Sequence, residues 1–318
     1  MPESLLDSCS RDTIARANLA VLNRWKFFRE RGWQEIDAGS YASAWNCYGG
    51  SVVTHPDVVA RLSGLAGIPI RYLGQVQEGR VVAAIATWDR FLALSREALK
   101  YFGRKRLFDL GNAEYILPAA PDVHAPLRHQ VRYLSALHAQ QFAGISLQRE
   151  SLMMARTPED LSRKFRYNQR REWRLLQEAG AMANPVSGYP AADLARIYSD
   201  LFARKWGFAA PGLERMPEVF DLLQEFMTGF VLEHQGEPVA VQVLYKTVSP
   251  QWISIEYVNG GVAPEAEKFS PGSVLSHLNT EAAWAEARLV GKELRYSFGR
   301  ADRDYKERWC RPVPVYQR

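Results

Sequence analysis

Residues 230–247, FVLEHQGEPVAVQVLYKT, are followed by QWISIEYVNG at 251–260, SPGSVLSHLNTEAAWAEA at 270–287 and ELRYSFGR at 293–300. The first run carries alternating apolar residues on either side of Gly236-Glu237-Pro238, which reads as a hairpin with a tight polar turn. The second is rich in β-branched and aromatic residues and reads as a strand. The third opens on Ser270-Pro271-Gly272 and then shows helical spacing, with proline tolerated in the first turn. The fourth reads as a closing strand, and DYKERW at 304–309 as a last short helical piece. Hairpin, strand, helix and strand in this order predict an α/β class with mixed sheets.

The first half shows the same order more faintly. IRYLGQVQEGRVVAAIATW at 70–88 reads as two strands joined at Glu78-Gly79-Arg80, after a short helix that starts near Pro56. A helix is expected over residues 12–31, another over about 125–141, and a strand at 144–155. The second half opens with a basic helix over 160–179, an amphipathic helix over 191–206 and a third over 217–230. The economical reading is a structural repeat: two domains packed side by side, residues 1–150 and 151–318.

Composition excludes several classes. The hydrophobic fraction is 47% with 24% charged residues, as in a globular chain, and no apolar run approaches the ~18–20 residues of a spanning helix. The start, MPESLLDSCSRD, lacks a basic n-region, so a cytoplasmic protein is expected. Three widely spaced cysteines and six histidines make no metal-ligand pattern, and no Walker loop or G-x-S-x-G occurs. The charge is concentrated instead. Residues 163–174 hold six basic side chains against Glu172, a net +5, which equals the formal charge of the whole chain. On a helix Arg163, Arg166, Arg170 and Arg174 fall in one arc. Leu161, Phe165, Leu175 and Leu176 are expected on the opposite half, with Asn168 and Glu172 turned the same way. Such a stripe is either a solvated face or a binding face for an anionic ligand or membrane surface, since arginine forks suit phosphate and carboxylate. Sequence-specific DNA is disfavoured, because no helix-turn-helix or second basic arm accompanies it. YFGRKRLF, residues 101–108, is a second small basic patch with aromatic flanks, and could assist at a membrane.

The run LRYSFGRADRDYKERW, residues 294–309, after the SPGS helix opening, resembles the end of the GNAT acyltransferase-like superfamily. More narrowly it looks like the double-GNAT proteins related to cellulose-biosynthesis acyltransferases and FemABX peptidyltransferases. Their aromatic-x-Arg-x-Asp and Tyr-Lys-x-Arg-Trp patterns are matched by Phe298, Arg300, Asp302, Tyr305, Lys306, Arg308 and Trp309. The basic helix matches their K-x-R-x-N-x-R-R segment at Lys164, Arg166, Asn168, Arg170 and Arg171. Over its whole length, including SYASAWNCYGGSVVTHP at 40–56, the chain resembles the Mig-fourteen (macrophage-inducible gene) family of bacterial antimicrobial-peptide-resistance proteins. That resemblance implies two tandem GNAT-like domains. It also implies attachment at the cytoplasmic face of the inner membrane, and leaves a transcriptional activator as a rival.

Acyl or aminoacyl transfer to an amine needs a base and a donor for the developing oxyanion. Lys306 is the candidate oxyanion or carboxylate partner, or else an exposed helix lysine. Asp302 is a candidate base, or else the partner of Arg300. Glu256, inside an apolar strand, is a candidate base whose burial would raise its pKa, or else a structural acceptor. Tyr257 and Tyr305 are candidate proton donors, or packing aromatics. The candidate anion-binding residues are Arg163, Arg166, Arg170, Arg174, Arg300 and Arg308. Lys268, Gly272 and Ser273 join them as a turn before the 270–287 helix, at the place of the acyl-CoA pyrophosphate loop of GNAT enzymes. The second loop glycine is missing there, and Ser297 stands where many relatives carry Asp. The donor is left open between acyl-CoA and aminoacyl-tRNA, the acceptor between a peptide and a lipid. The non-catalytic rival binds its ligand on the same scaffold.

Overall fold

A computed structural model describes residues 28–318. The helix expected over 12–31 lies almost entirely outside the described residues. The N-terminal half holds an antiparallel sheet in the order β1 (Gln34–Ile36), β2 (Arg71–Gln77), β3 (Arg80–Trp88) and β4 (Phe91–Leu92). The β2–β3 hairpin turns at Glu78 and Gly79, as expected from the sequence. Against it pack α1 (Ala38–Tyr48) and α2 (Pro56–Ala66), and α3 (Arg96–Tyr101) follows β4. Helix α1 was not legible as a helix among its Ser, Gly and aromatic residues. Its signal is the cap, where the Asp37 carboxylate accepts from Ser40 N–H.

The rest of the chain builds a nine-stranded sheet. Its path is β6 (Leu134–Ser135), β15 (Cys310–Gln317), β8 (Ser146–Ala155), β14 (Glu293–Arg300), β13 (Trp252–Val262), β12 (Glu237–Val248), β11 (Phe230–His234) and β9 (Ala181–Pro185). The two-residue β10 (Met227–Thr228) also pairs with β12. Every neighbouring pair on the path is antiparallel except β13 with β14, which α7 (Pro271–Leu289) connects. Alternation along β12 divides the core. Val241, Val243 and Tyr245 pack with Leu201 and Phe202 of α5 (Ala191–Trp206), while Leu244 packs with Ala283 and Ala287 of α7. Residue 150 falls within β8, whose partners are β14 and β15.

Three local expectations change. Residues 125–141 form no α-helix. Ala125–Pro126 (β5) pairs with Phe142–Ala143 (β7), and Leu134–Ser135 is drawn to the sheet by Val315 and Tyr316, leaving one 3₁₀ turn at Ala136–His138. Strand pairing over long range overrides the helical spacing there. The helix expected over 217–230 is the shorter α6 (Met216–Leu222), because Met227 and Thr228 pair with β12 and Gly229 sits at φ 94°. Strand β15 was not foreseen, since it contains Pro312 and Pro314. Being two apart, these prolines lack their N–H groups on the same side of the strand, and β6 reaches only Val315 and Tyr316.

The basic helix α4 is Arg163–Glu178, capped by Ser162, whose Oγ accepts from Phe165 N–H at 3.1 Å. Its inward side is Phe165, Gln169 and Leu176. Leu175 and Asn168 are exposed, so the buried face keeps the expected Phe165 and Leu176 but is rotated part-way toward Gln169. Gln169 is taken inward because Ser273 of α7 donates to its Oε1 at 3.1 Å.

Candidate functional site

A cavity of about 540 Å³ opens where the N-terminal loops meet the end of β14. Its floor is apolar, with Leu94, Leu99, Phe108 and Leu110. Its walls carry Arg96, Lys100, Lys105, Arg106, Arg132 and Arg300 against the two carboxylates Glu97 and Asp109. Helix α3, capped by Ser95, and the Gly103 turn after it bring the basic run of residues 101–108 into this wall. That run read as a surface patch in the sequence, but the structure gives two of its cations, Lys105 and Arg106, to the cavity.

The opposite wall is set by β14. Its pairing with β8 shifts register between Ser297 and Arg300, a bulge of the sort that re-aims a side chain at a strand end. Arg300 is thereby placed in the wall, next to Arg132 and Tyr133. One carboxylate joins the three. Glu150 of β8 accepts from Arg300 Nη1 at 3.2 Å, from Arg132 Nη2 at 2.5 Å and from the Tyr133 hydroxyl at 2.9 Å. Burial works to raise the Glu150 pKa, but the Tyr133 hydrogen bond and the two guanidinium charges hold it below the ordinary carboxylate value. Tyr133 is pushed up to about 12 by burial and by that same carboxylate.

Asp302 and Lys306 lie behind Arg300. Asp302 accepts from Arg300 Nη2 at 3.2 Å and from Lys306 Nζ at 2.9 Å, and Lys306 also donates to the Arg300 carbonyl at 2.7 Å. Lys306 is buried, so its ammonium is committed to closing the strand end. Burial works against the Asp302 charge, yet the Lys306 and Arg300 bonds keep its pKa lowered. Tyr305 is 45% exposed and shares a hydrogen bond with Tyr257. Arg308 is exposed on the same 3₁₀ turn, Asp304–Arg308.

Glu256 stands apart from the cavity wall. It is buried on β13, where Oε1 accepts the Glu114 N–H at 2.9 Å. Glu114 is itself buried and makes a bidentate pair with Arg295, at 2.5 Å and 2.9 Å. Burial first, and the Glu114 charge second, push the Glu256 pKa well above the ordinary carboxylate value. The stripe Arg163, Arg170 and Arg174 is exposed on α4 and contributes nothing to the cavity wall; Arg166 is half-buried beside His277. Lys268 lies over the Phe269 ring.

The structure therefore brings together Arg300, Asp302 and Lys306, and leaves Glu256, the α4 stripe and the turn at Lys268, Gly272 and Ser273 elsewhere. Glu150, Arg132 and Tyr133 were not singled out in the sequence. No local pattern marks them, for Glu150 meets Arg300 across 150 positions.

A family model, Mig-14, matches residues 55–318. The chain belongs to the Mig-14 family. Among solved structures this Mig-14 chain is similar to FemX, at 10% identity over 90% of this chain and 96% of that one, with a TM-score of 0.53. It is also similar to the C-terminal domain of a putative lysylphosphatidylglycerol synthetase from Agrobacterium fabrum, at 13% identity over 88% and 90% of the chains, TM-score 0.47. A third is L-PGS from Bacillus licheniformis, at 15% identity over 89% and 91%, TM-score 0.46. No curated protein sequence matches the chain. The likeness to FemX shows the fold of this Mig-14 chain, a mixed α/β fold, in agreement with the class read from the sequence. Among the described residues no helix is long and apolar enough to cross a membrane.

Proposed function

We propose that this Mig-14 chain transfers an acyl or aminoacyl group to an amine on an acceptor held in the 540 Å³ cavity, and so contributes to bacterial resistance to antimicrobial peptides. The observation that carries the reading is the cavity itself: six cations face two carboxylates over an apolar floor, on a transferase-type fold. Cations of this density suit a donor that carries phosphate, such as an aminoacyl-tRNA end, or an anionic lipid acceptor. In the transfer the amine nitrogen bonds to the carbonyl carbon of an ester donor. The ester C–O bond breaks, the amine proton leaves, and the departing oxygen takes up a proton. Arg132 and Arg300 stand in the wall where a developing oxyanion would be stabilised. The exposed Arg163, Arg170 and Arg174 of α4 suit an anionic surface, and we place the chain peripherally at the cytoplasmic face of the inner membrane on that support.

A second reading, binding without catalysis, is favoured by one feature. The three carboxylates Glu150, Asp302 and Glu256 are each bound to partners in the fold, which leaves none of them free as a base. Equilibrium binding of aminoacyl-tRNA and of anionic vesicles, followed by transfer assays to amine acceptors, separates the two. Saturable binding with transfer, both weakened by Lys105→Ala/Arg106→Ala, supports the transferase. Saturable binding without transfer supports the binding protein, and no saturable anion binding sinks both.

A further inference from the structure

In an open α/β sheet, ligands approach the carboxyl ends of parallel strands, beside the N-terminus of the crossover helix. Here that place is the end of β13 and β14 and the start of α7, where Lys268, Gly272 and Ser273 stand in the position of an acyl-CoA pyrophosphate turn. The two strands pair from Trp252 with Glu293 as far as Glu256 with Ser297, and then stop pairing. Beyond that point they leave a gap. We infer that residues 109–114 of this chain occupy the gap, so that it takes no acyl-CoA and any donor must be held by the cavity on the other side of the loop.

The loop is seated by contacts along its length. Gly111, at φ 68°, lies so close to β13 that a Cβ there would be 3.3 Å from Val258 Cα. A left-handed φ and this approach both call for glycine. The Asp109 carboxylate accepts Gly111 N–H at 2.9 Å and shapes the turn. The Asn112 amide faces Gly299 of β14. Glu114 N–H bonds to Glu256 and the Glu114 carboxylate to Arg295, so each strand of the pair holds the same loop residue. Withdrawing the loop would take the bidentate carboxylate from the largely buried Arg295 and leave it only the exposed Glu293 carboxylate at 3.2 Å, which makes the loop a fixed part of the fold.

The helix end leaves few donors for a pyrophosphate beyond the Gly272 N–H. Pro271 has no N–H, while Ser273 N–H and Val274 N–H both donate to the Ser270 carbonyl, at 2.9 Å and 3.1 Å. The Ser273 hydroxyl is bound to Gln169, and the Lys268 ammonium lies 4.8 Å from the Phe269 ring centroid. Asp109, Gly111, Asn112 and Ala113 meanwhile line the cavity. One short loop therefore plugs the strand gap and walls the cavity.

The inference does not require that transfer occurs, so its outcome is separate from the fate of the transferase reading. The test is hydrogen exchange on the full chain with and without acetyl-CoA, with calorimetric titration of acetyl-CoA into wild type and Lys105→Ala/Arg106→Ala. Both substituted side chains are exposed, so the variant should fold. The expected result is unchanged exchange at residues 257–262 and 298–300, with either no binding or binding that is lost in the variant. Slowed exchange at those two strand ends, with binding retained in the variant, would overturn it.

Discussion

Glu114 lends its backbone N–H to Glu256 and its carboxylate to Arg295, on two neighbouring parallel strands. One residue of the N-terminal half thus ties the pair of strands whose ends it covers. Two carboxyls and one guanidinium share this buried junction. Burial, and second the neighbouring Glu114 carboxylate, push the Glu256 pKa up, while the Arg295 guanidinium pairs with Glu114.

The raised pKa of Glu256 makes stability depend on pH. Its folded pKa is raised, while in the unfolded chain a glutamate titrates near about 4.3. Above that value the unfolded state gives up a proton that the folded state retains, so stability falls as pH rises. Glu256→Gln keeps an acceptor for the Glu114 N–H and removes the titration. We expect the variant to gain on wild type as pH rises above the unfolded-state value, in urea unfolding. A variant that loses ground with rising pH would show that Glu256 is ionised in the fold.

Breaking the Glu114–Arg295 pair leaves an uncompensated buried charge. Arg295→Met is expected to cost roughly 3–5 kcal/mol, and the double variant Glu114→Gln/Arg295→Met to recover part of it. Urea denaturation of both singles and the double gives the coupling. Additive losses would mean that the two side chains do not act as a pair.

Glu150 sits between two guanidiniums at the cavity wall and is partly exposed, so its ion pairs are screened. Glu150→Gln should cost no more than about 1 kcal/mol. Its folded pKa is lowered, so wild type loses this contribution as pH falls through the folded value, and the variant should lack that acid-side loss. With the anion gone, binding of a phosphate-bearing ligand should tighten, as salt-dependent titrations would show. Weaker binding would mean that Glu150 holds the two arginines in their binding positions.

Ser162→Ala removes the cap of α4 and should lower stability by about 1 kcal/mol. Thermal unfolding measures the loss, and an unchanged midpoint would show that packing against α7 alone holds the helix.

Much of the frame could be read locally. Alternating apolar residues and polar turns marked the β2–β3 and β11–β12 hairpins, with the second turn one residue earlier than expected, at Gln235-Gly236. Helical spacing marked α2, α5 and α7, and a charge run marked α4. These patterns are short in range, so the residues that form each element also announce it.

The sequence by itself determined the α/β class, the position of most long elements, and the Arg300–Asp302 pair at the end of the last recognised strand; the structure added buried Lys306 to it. Only the tertiary structure decided that Leu134–Ser135 is a strand, that a chain with two prolines can lie inside a sheet, and that the 101–108 run faces a cavity. It alone placed Glu150 between Arg132 and Arg300 and sent residues 109–114 into the strand gap. Those outcomes depend on partners distant along the chain, 18 positions away for Arg132–Glu150 and 181 for Glu114–Arg295. Local propensity is the same whether or not such partners arrive, so it could not reveal them.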